Sequence, residues 1–185
     1  MKSKSDIIIF DCETTGLLAP MATKIESQPY LTEAYCVRLT KDFEFVEEFE
    51  SMVKPPVPIS EEITRITGIT DETVKDAPNF IQIYDELYDI FECCRNVSAH
   101  NAMFDLGVLN RELFRYDKEM EFNWPKNKFC SVEASRHYFN KRLTLQKLHE
   151  HLFGVGFEGA HRARHDVEAT AKCFMKMVEL GDIKL

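Results

Sequence analysis

Two carboxylates, Asp11 and Glu13, flank Cys12 directly after the apolar run Ile7–Phe10. Side chains of an extended chain alternate between faces, so both acids project from the same face. Two acids held that close repel each other unless a cation sits between them. Hard oxygen ligands select Mg2+ or Mn2+. A D-x-E pattern alone is common, and a solvated strand end or helix cap reads the same way. Two later segments weigh against the plain reading. His100-Asn101-Ala102-Met103-Phe104-Asp105 sets a carboxylate on the first turns of a helix that follows a strand, and His161-Arg162-Ala163-Arg164-His165-Asp166 sets another at the start of the last helix. Four acids at strand ends and helix starts can converge on one site. Four carboxylates around two divalent ions, with phosphate oxygens in the remaining positions, suit two-metal phosphoryl transfer.

The elements that must position these acids follow from patterning. The β-branched run ending at Asp11 predicts a buried central strand. Thr14-Thr15-Gly16 signals a turn, and 17–31 is irregular, with Pro20 and Pro29. Strands are expected at 33–39 and 43–53, and a short helix at 60–66 stopped by Gly68. Phe80, Ile83, Tyr84, Leu87, Ile90, Phe91 and Cys94 recur at helical spacing after Pro78. A short strand at 96–99 precedes a helix over 102–114, with Leu106, Leu109 and Leu113 on one face. A strand at 129–131 and helices at 132–139 and 144–153 follow. A last helix runs over about 164–180, with Val167, Ala171, Phe174 and Val178 inward. This order predicts an α/β fold with a mixed sheet.

The 185 residues suit a single domain over 1–185, long enough to bury a real core. Composition is 44% apolar and 29% charged, which excludes disorder and coiled coil. Neither a membrane span nor a signal peptide is read from the apolar runs, so a cytoplasmic protein is expected. Pro55-Pro56-Val57-Pro58 reads as a loop inside one domain. The six cysteines include no C-x-x-C pair and are expected to be reduced. Residues 1–94 carry 8 Lys/Arg and 19 Asp/Glu, whereas residues 95–185 carry 15 and 12. A net charge of −8 makes a poor non-specific nucleic-acid binder. Any contact with DNA or RNA must therefore be local, helped by bound metal and drawn mostly from the second half.

Taken together, the motifs resemble those of the DEDD superfamily of 3′→5′ exonucleases, in the histidine-containing branch close to polymerase proofreading subunits. Asp11-Cys12-Glu13-Thr14-Thr15-Gly16-Leu17, His100–Asp105 with Leu109, and His161-x-Ala163-x-x-Asp166-x-x-x-Thr170 resemble its three motifs in order. Ile63–Thr70, Asp76-Ala77-Pro78 and Leu143–Leu148 match its connecting segments. The resemblance covers residues 6 to about 180 and implies a ribonuclease H-like fold, a mixed β-sheet flanked by helices.

It also implies roles. Asp11 would bridge two Mg2+ or Mn2+ ions, Glu13 and Asp166 would complete one ion's shell, and Asp105 would serve the other. His161 would be the general base, and nucleoside 5′-monophosphates would leave from the 3′ end. On a straight helix His161 and Asp166 lie about 140° apart, so His161 is expected on the loop before the last helix. His165 is then a decoy, and a zinc pair of the two histidines is disfavoured for want of a further soft ligand. Thr14, Thr15 and Gly16 would hold the terminal nucleotide, partly through backbone N–H groups. Leu17 and Ile69 would press on its base, and Asn101 and Phe104 would line the pocket.

Arg136, Lys141, Arg142, Arg162 and Arg164 are candidate phosphate contacts, with a solvated charge the plain alternative for each. Tyr35 stands where the family usually has a small residue, Thr67 where close relatives often carry His, and the 17–31 segment is longer than usual. Single-stranded DNA 3′ ends are the expected substrate, and a stand-alone role and association with a DNA polymerase both stay open. An RNA-trimming exoribonuclease and a non-catalytic accessory module are the alternatives, and monomer and homodimer both stay open. An unrelated phosphate-binding protein would need a glycine-rich phosphate loop, which the sequence lacks.

Overall fold

Strand β1, Ile7–Thr14, runs through the centre of a five-stranded sheet, in a computed structural model that describes residues 2–185. On one side it pairs antiparallel with β2, Leu31–Leu39, which pairs antiparallel with β3, Phe45–Met52. On the other side it pairs parallel with β4, Asn96–Ala99, which pairs parallel with β5, Asn127–Cys130. The sheet order is β3-β2-β1-β4-β5, so the expected mixed α/β sheet is present.

Alternation along β1 divides the core. Ile8, Phe10 and Cys12 pack with α2, Phe80–Phe91, and α3, Ala102–Arg115. Ile7 and Ile9 pack on the opposite face with α6, Leu145–Phe153, and α7, Ala163–Leu180. The result is a three-layer helix–sheet–helix arrangement. Three short α-helices, α1 at Glu61–Thr67, α4 at Ser131–Ala134 and α5 at Arg136–Phe139, and a 3-10 turn at Ile25–Ser27 complete the order.

Capping explains several boundaries. Ser60 accepts a hydrogen bond from Ile63 N, and Gly68 ends α1 in the left-handed conformation at φ 75°. Asn79 and Gln82 form a reciprocal capping box at the start of α2. Several expectations shift, among them the starts of β2 and β5, which each lie two residues earlier than expected. β1 continues past Asp11 to Thr14, because antiparallel pairing with β2 extends to Thr14↔Leu31. β3 starts at Phe45, since Phe43 takes a left-handed turn at φ 64°. α2 ends at Phe91, before Cys93 at φ 60°. The helix expected over 132–139 is two short helices meeting at Ser135.

Arg38 on β2 is fully buried, which no local sequence pattern signals. Its guanidinium donates to Asp6 Oδ2 at 3.0 Å and to the carbonyls of Ser3, Ile90 and Glu92. That set answers the cost of taking the charge out of water. All six cysteines are free thiols. Among the described residues, no helix is long and apolar enough to cross a membrane.

Candidate active site

Asp11 and Glu13 lie on the β1 face that Ile7 and Ile9 begin, the face α7 packs against. Asp166 sits in the first turn of α7, and Asp105 in the first turn of α3. A helix N-terminus favours an anion there. Ligand atoms of Glu13, His161 and Asp166 all lie within 4.8 Å of one another. Asp105 reaches the same strand from the other layer: its Oδ1 accepts from Cys12 N at 3.3 Å and lies 3.6 Å from Cys12 Sγ. The carboxylates expected from the sequence therefore do gather at the end of β1, with His161 beside them.

The cost of this gathering appears in their protonation. Burial, then the charges of Asp105, Asp166, Glu13 and Glu33, hold the Asp11 carboxyl well above its ordinary range. Burial and the neighbouring Asp166 push Glu13 up to about 8. Burial pushes Asp105 up to about 7, and Asp166 is raised for the same reason. Asp105 Oδ2 and Asp166 Oδ1 are buried with no hydrogen-bond partner among the described residues. Buried polar atoms are rarely left unpaired without a functional reason. Mutually repelling acids with two orphaned oxygens are a donor set that hard divalent cations fit.

His161 lies on the turn before α7, as expected, with its imidazole exposed and its backbone left-handed at φ 68°. Its N–H donates to Asp166 Oδ2 at 3.1 Å, which ties the turn to the carboxylate. His165 turns away: its Nδ1 faces the Gly159 carbonyl at 3.1 Å, where a side chain at Gly159 would strike the ring. Asn101, before α3, is also left-handed at φ 72°. Such strain in non-glycine residues concentrates at functional sites.

The turn is anchored by a residue outside the expected site members. Glu33 on β2 stands in register with Glu13 and is buried. Like charges directly opposite on a sheet repel. Arg162 answers with a two-pronged ion pair, Nη2 to Oε1 at 2.7 Å and Nε to Oε2 at 3.2 Å. Glu33 Oε2 also accepts from Ala163 N at 3.1 Å. Glu33 thus fixes the start of α7 from across the sheet. A lone Glu inside an apolar strand stretch was the available signal.

Other expected residues sort as follows. Gly16 and Leu17 line a groove of about 240 Å3 with Gln28, Tyr30 and Val57, and Leu17 is 85% exposed. Phe104 is half-buried against the core. Asn101 Oδ1 accepts from Arg142 Nη2 at 2.6 Å. Thr14 and Thr15 are occupied within their own loop. Thr14 Oγ1 donates to the Gly16 carbonyl, and Thr15 pairs with Tyr30 through both its N–H and its Oγ1. Their polar groups brace the groove in this conformation instead of facing a nucleotide. Ile69 is a correction: at 1% exposure it packs with Ile59 and Val74 and offers no surface to a base.

Three of the candidate cations are paired with acids: Arg162 with Glu33, Arg164 with Glu48 and Glu50, and Arg136 with Glu133. Tyr35 packs beneath Arg164 and donates to Glu48 Oε2, so it lies under α7 and not in the groove. Thr67 ties off α1, donating to the Ile63 carbonyl and accepting from Ile69 N. His100, with burial lowering its pKa to about 4, is neutral; its Nε2 faces the Leu143 carbonyl and its Nδ1 faces Ser131 Oγ.

Residues 8–174 match the model of the exonuclease family, RNase_T. The chain belongs to that family. A DNA polymerase III PolC-type from Bacillus subtilis (strain 168) is 35% identical over 180 residues, covering 93% of this chain and 11% of the relative. Its counterpart from Caldanaerobacter subterraneus subsp. tengcongensis is 33% identical over 178 residues, covering 95% of this chain and 12% of the relative. The exonuclease chain thus spans about a ninth of the length of these relatives. The nuclease domain of 3′hExo bound to rAMP superposes with a TM-score of 0.75 at 18% identity, over 98% of this chain and 96% of that one. Exonuclease I of E. coli in complex with a dT13 oligonucleotide superposes at 0.73 with 19% identity, over 95% and 41%. The fold of this exonuclease domain is accordingly ribonuclease H-like.

Proposed function

We propose that this exonuclease domain removes nucleoside 5′-monophosphates from the 3′ end of single-stranded DNA, in a proofreading role beside a DNA polymerase. The observation that carries this reading is the cluster of Glu13, His161 and Asp166 within 4.8 Å, with the orphaned oxygens of Asp105 and Asp166 beside it. Asp11, Glu13, Asp105 and Asp166 would hold two divalent ions, Mg2+ or Mn2+. Bound there, such ions lower the pKa of water and stabilise charge on phosphoryl oxygens. His161 takes the proton from the attacking water; its exposed ring is accessible to solvent and substrate. Asp166, accepting from the His161 N–H, holds that ring's turn in place. Glu33 and Arg162 fix the start of α7 so that Asp166 faces Glu13. Gly16 and Leu17 border the groove that receives the terminal nucleotide.

A terminal nucleotide must leave its partner to reach these acids, which costs unstacking energy and favours single strands. The polymerase association, and a cytoplasmic setting with it, rest on the PolC-type relatives. The test is a gel time course on 5′-labelled single-stranded DNA and RNA of one sequence, with Mg2+ or Mn2+, EDTA, and the Asp166→Ala variant alongside. A metal-dependent ladder shortening from the 3′ end, absent in Asp166→Ala and faster on DNA, is the expected result. Faster trimming of RNA would replace the substrate. No shortening of either strand would overturn the reading.

A further inference from the structure

With Arg162, Arg164 and Arg136 held by carboxylates, two of the five candidate phosphate contacts stand apart. Lys141 and Arg142 make no ion pair with an acid among the described residues. Both are exposed, and they adjoin an aromatic ring. Phe139 is 51% exposed, and Lys141 Nζ lies 5.9 Å from its centroid. The ring is braced edge-on by His151 at 5.0 Å. Tyr138 packs against the same His151 in a tilted pair and donates to Asp182, so the base of the segment is fixed from two directions. Asn140, left-handed at φ 51°, turns the chain between the ring and the two cations.

This turn is fastened to the active-site end of the sheet. Arg142 donates to Asn101 Oδ1, and the next carbonyl, Leu143, accepts from His100 Nε2 at 3.2 Å. His100 and Asn101 sit directly past the C-terminal end of β4, which runs parallel to β1 with Ser98 opposite Ile9. The carboxylates stand at that same end of β1. In open α/β sheets, ligands bind in the crevice past the C-terminal strand ends. An acidic protein that handles a polyanion needs local cations there, and of the five candidates these two pair with no acid among the described residues.

We propose that Phe139–Arg142 is a binding ridge for the sugar–phosphate backbone of a single strand. Arg142 and Lys141 take the phosphodiesters upstream of the one being cleaved, and Phe139 stacks on a base. Cations on the backbone with an aromatic under the bases give sequence-tolerant grip, which a trimming enzyme requires. The inference rests on the exonuclease reading above and extends it past the terminal nucleotide.

The test uses the full chain carrying Asp166→Asn, so that a strand is bound without being cut. Fluorescence anisotropy with a labelled oligothymidylate is recorded across a KCl series for this background, for Lys141→Ala/Arg142→Ala, and for Lys176→Ala as a remote charge control. Each single-strand phosphate contact contributes about 0.7 to the slope of log K against log salt. The double variant should lose about 1.4 from that slope, and Lys176→Ala should lose none. Phe139→Ala should weaken binding at least about five-fold, the lower end for base–aromatic stacking, with the slope unchanged. Hydrolysis by the wild-type chain of the p-nitrophenyl ester of thymidine 5′-monophosphate, which has no upstream phosphodiester, is measured in parallel. That ester cleaved, with an unchanged slope in the double variant, overturns the ridge and leaves the exonuclease reading standing. Neither ester nor oligonucleotide cleaved by the wild-type chain overturns both.

Discussion

His161 holds a left-handed backbone conformation that costs an L-residue about 1–3 kcal/mol, and the strain is met by its N–H bond to Asp166. The same bond explains why His161 and not His165 faces the acids. His165 is one helical turn further along and spends its ring on the Gly159 carbonyl. His161→Ala should lower kcat by about 10²–10⁴-fold, the usual contribution of a general base. His165→Ala should leave kcat within a few-fold, because its loss loosens only the 154–160 loop. Steady-state assays of the two variants decide it, and the reverse ranking would move the base to His165. Glu33 makes a different prediction. Glu33→Gln keeps shape and volume but removes the charge that pairs Arg162 and balances the start of α7. Asp166 and His161 then lose their fixed relation to Glu13. The Mg2+ concentration for half-maximal rate should rise and kcat fall, while the far-ultraviolet circular dichroism stays unchanged. A rate and metal requirement equal to wild type would reduce Glu33 to a structural group.

At the scale of elements, the 17–30 segment depends on α3. Glu112 on α3 accepts from Leu31 N at 2.9 Å and pairs with Arg115. Arg115 donates to the carbonyls of Ile25, Gln28 and Pro29 and lies 3.7 Å over the Tyr30 ring. Both side chains of the pair are nearly buried, at 9% and 4% exposure. Breaking such a pair by removing one partner costs about 3–5 kcal/mol, since the other charge is left buried. Arg115→Ala should therefore shift the urea midpoint down by an equivalent amount and raise KM, because Gln28 and Tyr30 line the same groove as Leu17. An unchanged midpoint would mean that the segment is held elsewhere. This pairing also shows what a sequence conceals. β1, α2 and α7 are legible because their apolar residues repeat at the period of the element, and the site acids are legible because their motifs are local. Glu112 reaches a backbone 81 residues away, and Arg162 finds Glu33 at 129. No pattern within a window encodes either partner. Ile69 misleads for a related reason: a lone aliphatic reads alike in a pocket wall and in the small cluster with Ile59 and Val74.

For the whole molecule, the clustered acids tie folding to pH and to metal. Glu13 is pushed to about 8 and Asp105 to about 7, against ordinary values of 4.5 and 3.8. In the metal-free protein the folded state therefore holds protons that the unfolded chain releases. Their stabilising contribution is complete below about pH 4 and is lost as pH rises through 7 to 8. His100 acts in the opposite sense: lowered to about 4 by burial, it contributes stability above its ordinary 6.5 and loses it as pH falls towards 4. Above about pH 7 it adds no slope, so the carboxylates govern there. Divalent ions need ionised ligands, so their binding releases protons and stabilises more as pH rises. In EDTA, Tm should decline between about pH 5 and pH 8.5. With millimolar Mg2+ or Mn2+ the decline should shrink, and the gap between the two curves should widen with pH. Asp105→Asn removes one titrating acid and one ligand oxygen, so it should flatten the EDTA curve and narrow the gap. Differential scanning fluorimetry over the pH series is enough to read both. Parallel curves with and without metal would show that the acids bind no ion. A widening gap that Asp105→Asn leaves untouched would place the ion on Asp11, Glu13 and Asp166 alone.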